Sequence, residues 1–331
     1  MARSQIVEVE AARWDALVRG LGVTDVYYTR GFIEASAPLA GGTPALLDLA
    51  GDEGHVLFPC IVREDPADVV TPYGYGGPVA VGDRPPVGEF AGRYEDWCRE
   101  RGAVSSFVVF HPLFGNHAGE VAAGFHRTPM AGTVAWRLDR GDVFGSMHRH
   151  HRRMVRRARA EGFDVAVDAA PADLDRFVDV YEQTMRRRAA SPFYLFDEAY
   201  WRALARDVPL VRVEVRRRGE LAASVLGMGE PPWLHYHLGG TSDAGLKTGA
   251  SHLALYSLAA WARERGFGTL HLGGGVGGRD DSLLEYKRRF APDGLVAASV
   301  GKAVHDPARY RQLSGADPAW DGFFPAYRAT R

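Results

Sequence analysis

The stretch Trp97-Cys98-Arg99-Glu100-Arg101-Gly102 returns half a chain later as Trp261-Ala262-Arg263-Glu264-Arg265-Gly266, in a sequence of 331 residues. The surroundings return with it. Tyr73-Gly74-Tyr75-Gly76-Gly77-Pro78 lies upstream of the first copy, and Tyr236-His237-Leu238-Gly239-Gly240-Thr241 lies at nearly the same distance upstream of the second. An apolar run comes after each copy, at residues 104–110 and 269–272. Self-similarity at this spacing predicts two versions of one supersecondary unit, and therefore two domains of shared topology.

The length suits two domains of ordinary size, each able to bury a core of its own. Hydrophobic residues make up 46% of the chain and charged residues 24%, the balance of a soluble globular protein. A net charge of -1 gives no global attraction to nucleic acid or to a membrane. Cys60 and Cys98 sit in apolar surroundings without metal-ligand spacing and read as core residues of a cytosolic chain. The start of the sequence lacks the charged-then-apolar pattern of a signal peptide. No window approaches the roughly 18 uninterrupted apolar residues of a membrane span, so a cytoplasmic location is expected.

Periodicity and turn residues predict helices at 11–19, 31–36 and 87–101 in the first half. Strands are expected at 44–49 and 55–63 around Gly51-Asp52-Glu53-Gly54, at 104–110, and as a pair within 124–137. The second half opens with a helix over 142–160, ended by Gly162. Further helices are expected at 172–187, 197–205, 251–265 and 281–290. Strands are expected at 163–167, 211–216, 221–228, 233–238, 269–272 and 295–300. Hairpins mixed with crossover helices argue for an α/β fold with mixed sheets. The domains are expected at 1–143 and 144–300, with the aromatic and proline-rich 301–331 packing back on the first.

Several features together resemble the FemABX-like branch of the GNAT superfamily. They are the twinned α/β unit, Tyr73–Pro78, the arginine-rich helix that opens the second half, and the ending Leu272-Gly273-Gly274-Gly275 with, further on, Asp281-Ser282-Leu283-Leu284-Glu285-Tyr286-Lys287-Arg288-Arg289-Phe290. The resemblance covers most of the chain and is densest from Tyr181 to Phe290. It implies two tandem GNAT-like acyltransferase domains with a cleft between them, and N-acyl transfer. In the best-known members an amino acid moves from aminoacyl-tRNA to an amine of a peptidoglycan precursor; others serve as ordinary acyltransferases or in secondary metabolism. Aminoacyl-tRNA is thus the expected donor and a small-molecule or peptidyl amine the expected acceptor, with no tightly bound cofactor.

Transfer to an amine from an ester or thioester requires a neutral amine, a donor for the oxyanion and substrates held in line. It requires no covalent nucleophile, and Gly-x-Ser-x-Gly is absent. The resemblance gives Lys287, after Tyr286 and before Phe290, contact with the donor's phosphates and the reacting carbonyl, which suits a compact ammonium. Lysine is scarce here, limited to Lys247, Lys287 and Lys302. Candidate general bases are Asp281, Asp280, Glu285, His237 and Tyr236, with Asp281 also placed to cap a helix.

Residues 273–278 formally contain Gly-x-Gly-x-x-Gly, so a dinucleotide fold is an alternative. The run lies late in its unit, however, and no acidic residue closes the strand at 295–300 for ribose recognition. In an acyltransferase, Gly274 and Gly275 would admit a bound acyl donor close to the backbone. Leu246-Lys247-Thr248-Gly249-Ala250-Ser251 sits where an ordinary GNAT binds pyrophosphate at a helix start. Its match is degenerate at Leu246 and Ser251, which leaves acyl-coenzyme A as the alternative donor through Thr248, Gly249 and Ser251. A plain helix start capped by Thr248 or Ser251 is the simpler reading.

Arg149, Arg152, Arg153, Arg156, Arg157 and Arg159 form a local excess over Asp142, Glu161 and Asp164, which reads as a surface for a polyanion, tRNA backbone or a nucleotide diphosphate, with an ordinary solvated arginine-rich face as the alternative. His148, His150 and His151 beside them read as helix-surface residues, and no metal site is expected. The resemblance places Arg187, in Thr184-Met185-Arg186-Arg187, along a substrate groove. Tyr73 and Tyr75 are expected either to line the acceptor cleft or to form a turn packed on the core, and Tyr236 and His237 are expected at the same cleft. A non-enzymatic module that holds a phosphorylated ligand is the third reading.

Overall fold

The computed structural model describes residues 5–329. The first half begins with β1 (Ile6–Glu8), α1 (Trp14–Gly20) and α2 (Arg30–Ala40). β2 (Gly42–Ala50) and β3 (Glu53–Arg63) form the expected hairpin, with Gly51 donating its amide to the Gly54 carbonyl. Then come β4 (Asp68–Val70), β5 (Val79–Arg84), α3 (Val87–Glu100), β6 (Ser105–Val109) and β7 (His126–Pro129). α3 buries Phe90, Tyr94, Trp97 and Cys98, a single stripe at helical spacing. They meet Phe58, Cys60, Val108 and Phe110 of the sheet.

The second half contains β8 (Thr133–Arg137), α4 (Val143–Ser146), α5 (Arg149–Ala160), β9 (Asp164–Asp168), α6 (Asp175–Arg187) and α7 (Glu198–Asp207). β10 (Leu210–Arg217), β11 (Glu220–Met228), β12 (Trp233–Thr241), α8 (Ala250–Glu264), β13 (Thr269–Gly273), α9 (Ser282–Arg288) and β14 (Leu295–Val296) complete it. Their sheet has the order β14-β8-β13-β12-β11-β10-β9. α8 buries Leu253, Leu255, Leu258 and four alanines, Ala250, Ala254, Ala259 and Ala262, in a core shared with α5 and the sheet.

The chain then returns to the first unit. β15 (Ser299–Val304) inserts between β6 and β7, giving the order β1-β2-β3-β4-β6-β15-β7 with β5 on β3. α10 (Pro307–Ser314) comes next. Lys302 donates to the carbonyls of Trp320 and Gly322, and Tyr310 and Phe324 pack on Val104. The two compact units are therefore residues 1–130 with 297–331, and residues 131–296.

Three expectations change. The strand pair within 124–137 is split: β7 pairs with β15 in one sheet, while β8 pairs with β13 and β14 in the other. That pairing carries residues 131–143 into the second unit, so the boundary expected at 143/144 falls at 130/131. The strand expected at 295–300 is also split, into β14 of the second unit and β15 of the first. Mostly antiparallel pairing leaves a dinucleotide-binding sheet, which is parallel, without support.

The repeat has a physical basis. Each copy of Trp-x-Arg-Glu-Arg-Gly ends a crossover helix, α3 between parallel β4 and β6, and α8 between parallel β12 and β13. Arg101 stacks over Trp97 at 5.4 Å and Arg265 over Trp261 at 5.6 Å, one helical turn apart on a common face. Gly102 (φ 65°) and Gly266 (φ 84°) are left-handed. Ala103 donates to the Cys98 carbonyl at 2.8 Å and Phe267 to that of Ala262 at 3.0 Å. This is the Schellman pattern of a glycine-terminated helix.

Candidate active site in the second unit

β12 and β13 are paired from Trp233↔Thr269 only as far as His235↔His271. Past that point both strands bulge. His237 is the extra residue of β12 against β11, and Leu272 that of β13 against β8. Bulges bend a strand and end its pairing, so the two parallel strands part. At the closed end the Nδ1 atoms of the buried His235 and His271 lie 3.1 Å apart, and His271 Nε2 lies 2.9 Å from Thr133 Oγ1.

Lys287 belongs to this opening. It projects from α9, is 7% exposed, donates Nζ to the Gly274 carbonyl at 2.7 Å, and lies 5.8 Å from the Tyr236 ring centre. One side chain thus spans from the loop after β13 to the bulged end of β12. Burial pulls its pKa down to about 8, against the opposing charge of Asp281. An ammonium in these surroundings keeps donors beyond the one used on Gly274. Its attraction for a developing oxyanion is strengthened by low local polarity.

The residues around Lys287 fix the loop and the helix that carry it. Asp281 Oδ1 accepts from the amides of Leu283 (3.0 Å) and Leu284 (2.9 Å), and Oδ2 accepts from Val276 (2.9 Å). Burial acts to raise its pKa, but these amides hold it below the usual range. This is a helix cap, whose carboxylate is spoken for. The Tyr286 carbonyl lies 2.9 Å from His151 Nε2, tying the helix that carries Lys287 to α5, and burial raises the pKa of the Tyr286 hydroxyl far above the usual phenol value. Gly275 is required by its own chain: a Cβ there would lie 2.2 Å from the Arg279 carbonyl oxygen and 2.5 Å from Asp281 Oδ1. At Gly274 a Cβ would lie 2.9 Å from the Gly132 oxygen. These two glycines close a tight loop against protein atoms, which replaces the expectation that they make room for a ligand.

The other candidate bases fare poorly. His237 Nε2 lies 2.8 Å from the Tyr200 hydroxyl, and burial lowers its pKa to about 3. Tyr236 is pushed up to about 12 by burial. Glu285 pairs with Arg289 at 2.8 Å on the surface, and Asp280 is exposed. None of the five candidate bases is placed as a dedicated general base.

At the start of α8, Thr248 Oγ1 donates to the Gly245 carbonyl (2.7 Å) and accepts from the Ala250 amide (3.2 Å). Gly249 (φ 93°) is left-handed, and a Cβ on it would lie 2.4 Å from the Met154 carbonyl oxygen of α5. The degenerate loop is thus used for capping and helix–helix approach.

α5 buries His151, Val155 and Ala158 and presents its arginines outward. Arg152 donates to the carbonyls of Gly145 (2.6 Å) and Met147 (2.5 Å), closing the end of α4. Arg157 pairs with Glu161 at 2.6 Å. Among the described residues, Arg149, Arg153, Arg156 and Arg159 have no carboxylate within ion-pair distance, and all four are exposed. Arg156 and Arg159 stack over Phe144 and Tyr256 at 5.2 and 5.1 Å. Arg187 bonds Asp243 Oδ1 (3.0 Å) and the Thr241 carbonyl (2.6 Å), and Thr184 accepts from the Thr241 amide at 2.8 Å. The Thr-x-x-Arg element therefore fixes the free end of β12.

In the first unit the equivalent opening is closed. Asn116 donates to the carbonyls of Gly76 and Pro78, both at 2.9 Å, and Tyr28 donates to that of Gly77 at 2.8 Å. Tyr75 meets Tyr27 edge-on at 5.4 Å, and Tyr73 is half-buried. This unit also holds a chain of polar groups that sequence reading misses. Ser106 Oγ lies 2.7 Å from His305 Nε2, whose Nδ1 lies 2.6 Å from Glu95 Oε2. The order is that of a hydrolase triad, but Ser106 is 0% exposed and is also bonded to Tyr94 at 2.7 Å. No acyl group reaches it, so it serves as a satisfied buried polar network.

Residues 145–288 match the model of the acetyltransferase (GNAT) domain family. No curated protein matches the chain. Solved structures with the same fold include FemX, at 14% identity over 93% of this chain and 99% of that one, with a TM-score of 0.67. L-PGS from Bacillus licheniformis is 13% identical over 92% and 94%, with a TM-score of 0.62. A tandem GNAT protein from the clavulanic acid biosynthesis pathway, solved without AcCoA, is 11% identical over 92% and 100%, with a TM-score of 0.56. Among the described residues no helix is long and apolar enough to cross a membrane.

Proposed function

We propose that this tandem GNAT acyltransferase, FemX-like in fold, forms an amide bond by moving an aminoacyl group from aminoacyl-tRNA to an amine of a peptidoglycan precursor or natural-product intermediate. The observation that carries the proposal is the buried Lys287 ammonium where β12 and β13 part, 5.8 Å from the Tyr236 ring. In this reading the neutral amine attacks the ester carbonyl, and charge develops on the carbonyl oxygen. Lys287 donates a hydrogen bond to that oxyanion. As the tetrahedral intermediate collapses, the ribose hydroxyl leaves and takes up the proton that the amine loses. Tyr286 and Asp281 hold Lys287 in place. Tyr236 and His237 of the second unit are proposed for the acceptor side. The unpaired arginines of α5, Arg153 and Arg156 among them, receive the tRNA backbone.

A second reading uses acyl-coenzyme A. The helix start at Thr248–Ser251 favours it, as does the likeness to a tandem GNAT protein solved without AcCoA. The internal use of Thr248 and Gly249 supports the tRNA reading instead. Incubation with acetyl-coenzyme A in a calorimeter, beside filter binding of charged tRNA, separates the two. Saturable tRNA binding and no heat from acetyl-coenzyme A are expected. Saturable acetyl-coenzyme A binding without tRNA binding would reverse the order.

A further inference from the structure

Three imidazoles converge in the second unit where the first turns of α5 and α8 lie side by side. One ring nitrogen each from His150, His151 and His252 lies within 4.8 Å of the other two. The rings of His151 and His252 meet edge-on at 4.4 Å, and that of His150 is 6.0 Å from His252. His151 is held in a defined tautomer. Its Nε2 lies 2.9 Å from the Tyr286 carbonyl oxygen, which can only accept, so Nε2 carries the proton and Nδ1 a lone pair. Nδ1 of His151 is buried without a hydrogen-bond partner, as is Nδ1 of His252, and His151 as a whole is 1% exposed. Buried polar atoms are rarely left so, and each exception asks for an explanation such as an ion.

We infer that His150, His151 and His252 form a binding site for a divalent metal ion of the zinc, cobalt or nickel class. Three nitrogen donors without a carboxylate suit these ions and not magnesium or calcium, which take oxygen ligands. A ligating histidine characteristically donates its second N–H to a carbonyl, as His151 does to Tyr286. Tetrahedral zinc with bonds of about 2.0–2.1 Å requires the nitrogens to draw closer than they stand. The half-buried His150, tied only by a 3.3 Å contact to Arg153, has the freedom to do so. The positive charge of Arg153 and Arg289 beside the cluster favours an anionic fourth ligand. Two of the histidines expected on a helix surface thus join a third from another helix to make the triad.

The test uses the full chain without a histidine tag, stripped with chelator and dialysed against zinc, with cobalt absorption as the geometric probe. The expected result is one zinc ion per chain and visible cobalt bands of a four- or five-coordinate site. His252→Ala and His150→Ala should each weaken zinc binding by about tenfold or more and abolish the bands. Should His252→Ala lose its circular dichroism spectrum, His150→Ala on the helix surface decides alone. Absence of saturable zinc binding in the parent protein, or parental affinity in a folded variant, overturns the inference.

Discussion

Lys287 is a cation held in a place that disfavours cations. Its pKa falls to about 8 from the ordinary 10.5, a difference on the order of 3 kcal/mol between its two protonation states. Between these values the unfolded chain keeps the proton that the folded chain has released. Stability should therefore climb as pH rises from about 8 to about 10.5. Lys287→Met should flatten that rise, keep or raise the unfolding midpoint at pH 7, and lower the transfer rate by roughly 10²–10³-fold. A structural lysine would show the reverse, with stability lost and rate kept. The proposed oxyanion donor is the protonated form, so parental turnover should decline above about pH 8, a limb visible in a pH–rate profile. Asp281→Asn separates a cap from a base in the same assay. Asparagine still caps, so most turnover should remain, whereas loss of a general base costs about 10²–10⁴-fold.

At the scale of elements, the repeated motif is a helix stop before a parallel strand. A Cβ on Gly102 or Gly266 would meet nothing within 4 Å, so the cost of alanine at either is that of the left-handed backbone alone. Gly102→Ala and Gly266→Ala should each destabilise by about 1–2 kcal/mol, read as a lowered denaturation midpoint of the unit concerned. Hairpins, crossover helices and their caps were legible because glycine, periodicity and short loops are local signals. The splitting of 124–137 and 295–300 between sheets was not, because partner choice is set by distant strands. The helix expected over 142–160 breaks at Met147 and His148, both extended, where the His148 side chain accepts from the His150 amide and starts α5 afresh. Lys287 as a candidate was legible through its motif and its scarcity; its burial against the Gly274 carbonyl was not. The histidine triad was not, because His252 lies far from His150 and His151 in sequence and only the packing of α5 on α8 joins them.

For the whole molecule, the two units share a crossover and differ in the segment beyond it. In the first, Asn116 ties down the glycine-rich turn; in the second, Lys287 occupies the corresponding parting. A nearly neutral chain with four unpaired arginines on α5, among the described residues, should bind tRNA with a steep salt dependence. Arg153→Gln with Arg156→Gln should weaken binding of all tRNAs alike. It should reduce the slope of log affinity against log salt by about 0.7–0.9 for each phosphate no longer neutralised, measured by filter binding. The most direct test of Lys287-assisted transfer is a single-turnover reaction from a radiolabelled pool of aminoacyl-tRNAs to a panel of amines that includes a muramyl pentapeptide, run with the parent chain and with Lys287→Met. We expect labelled amide product from the parent and a loss of about 10²-fold or more in the variant, with tRNA binding kept. No product with any charged tRNA, or an undiminished rate in Lys287→Met, would contradict it.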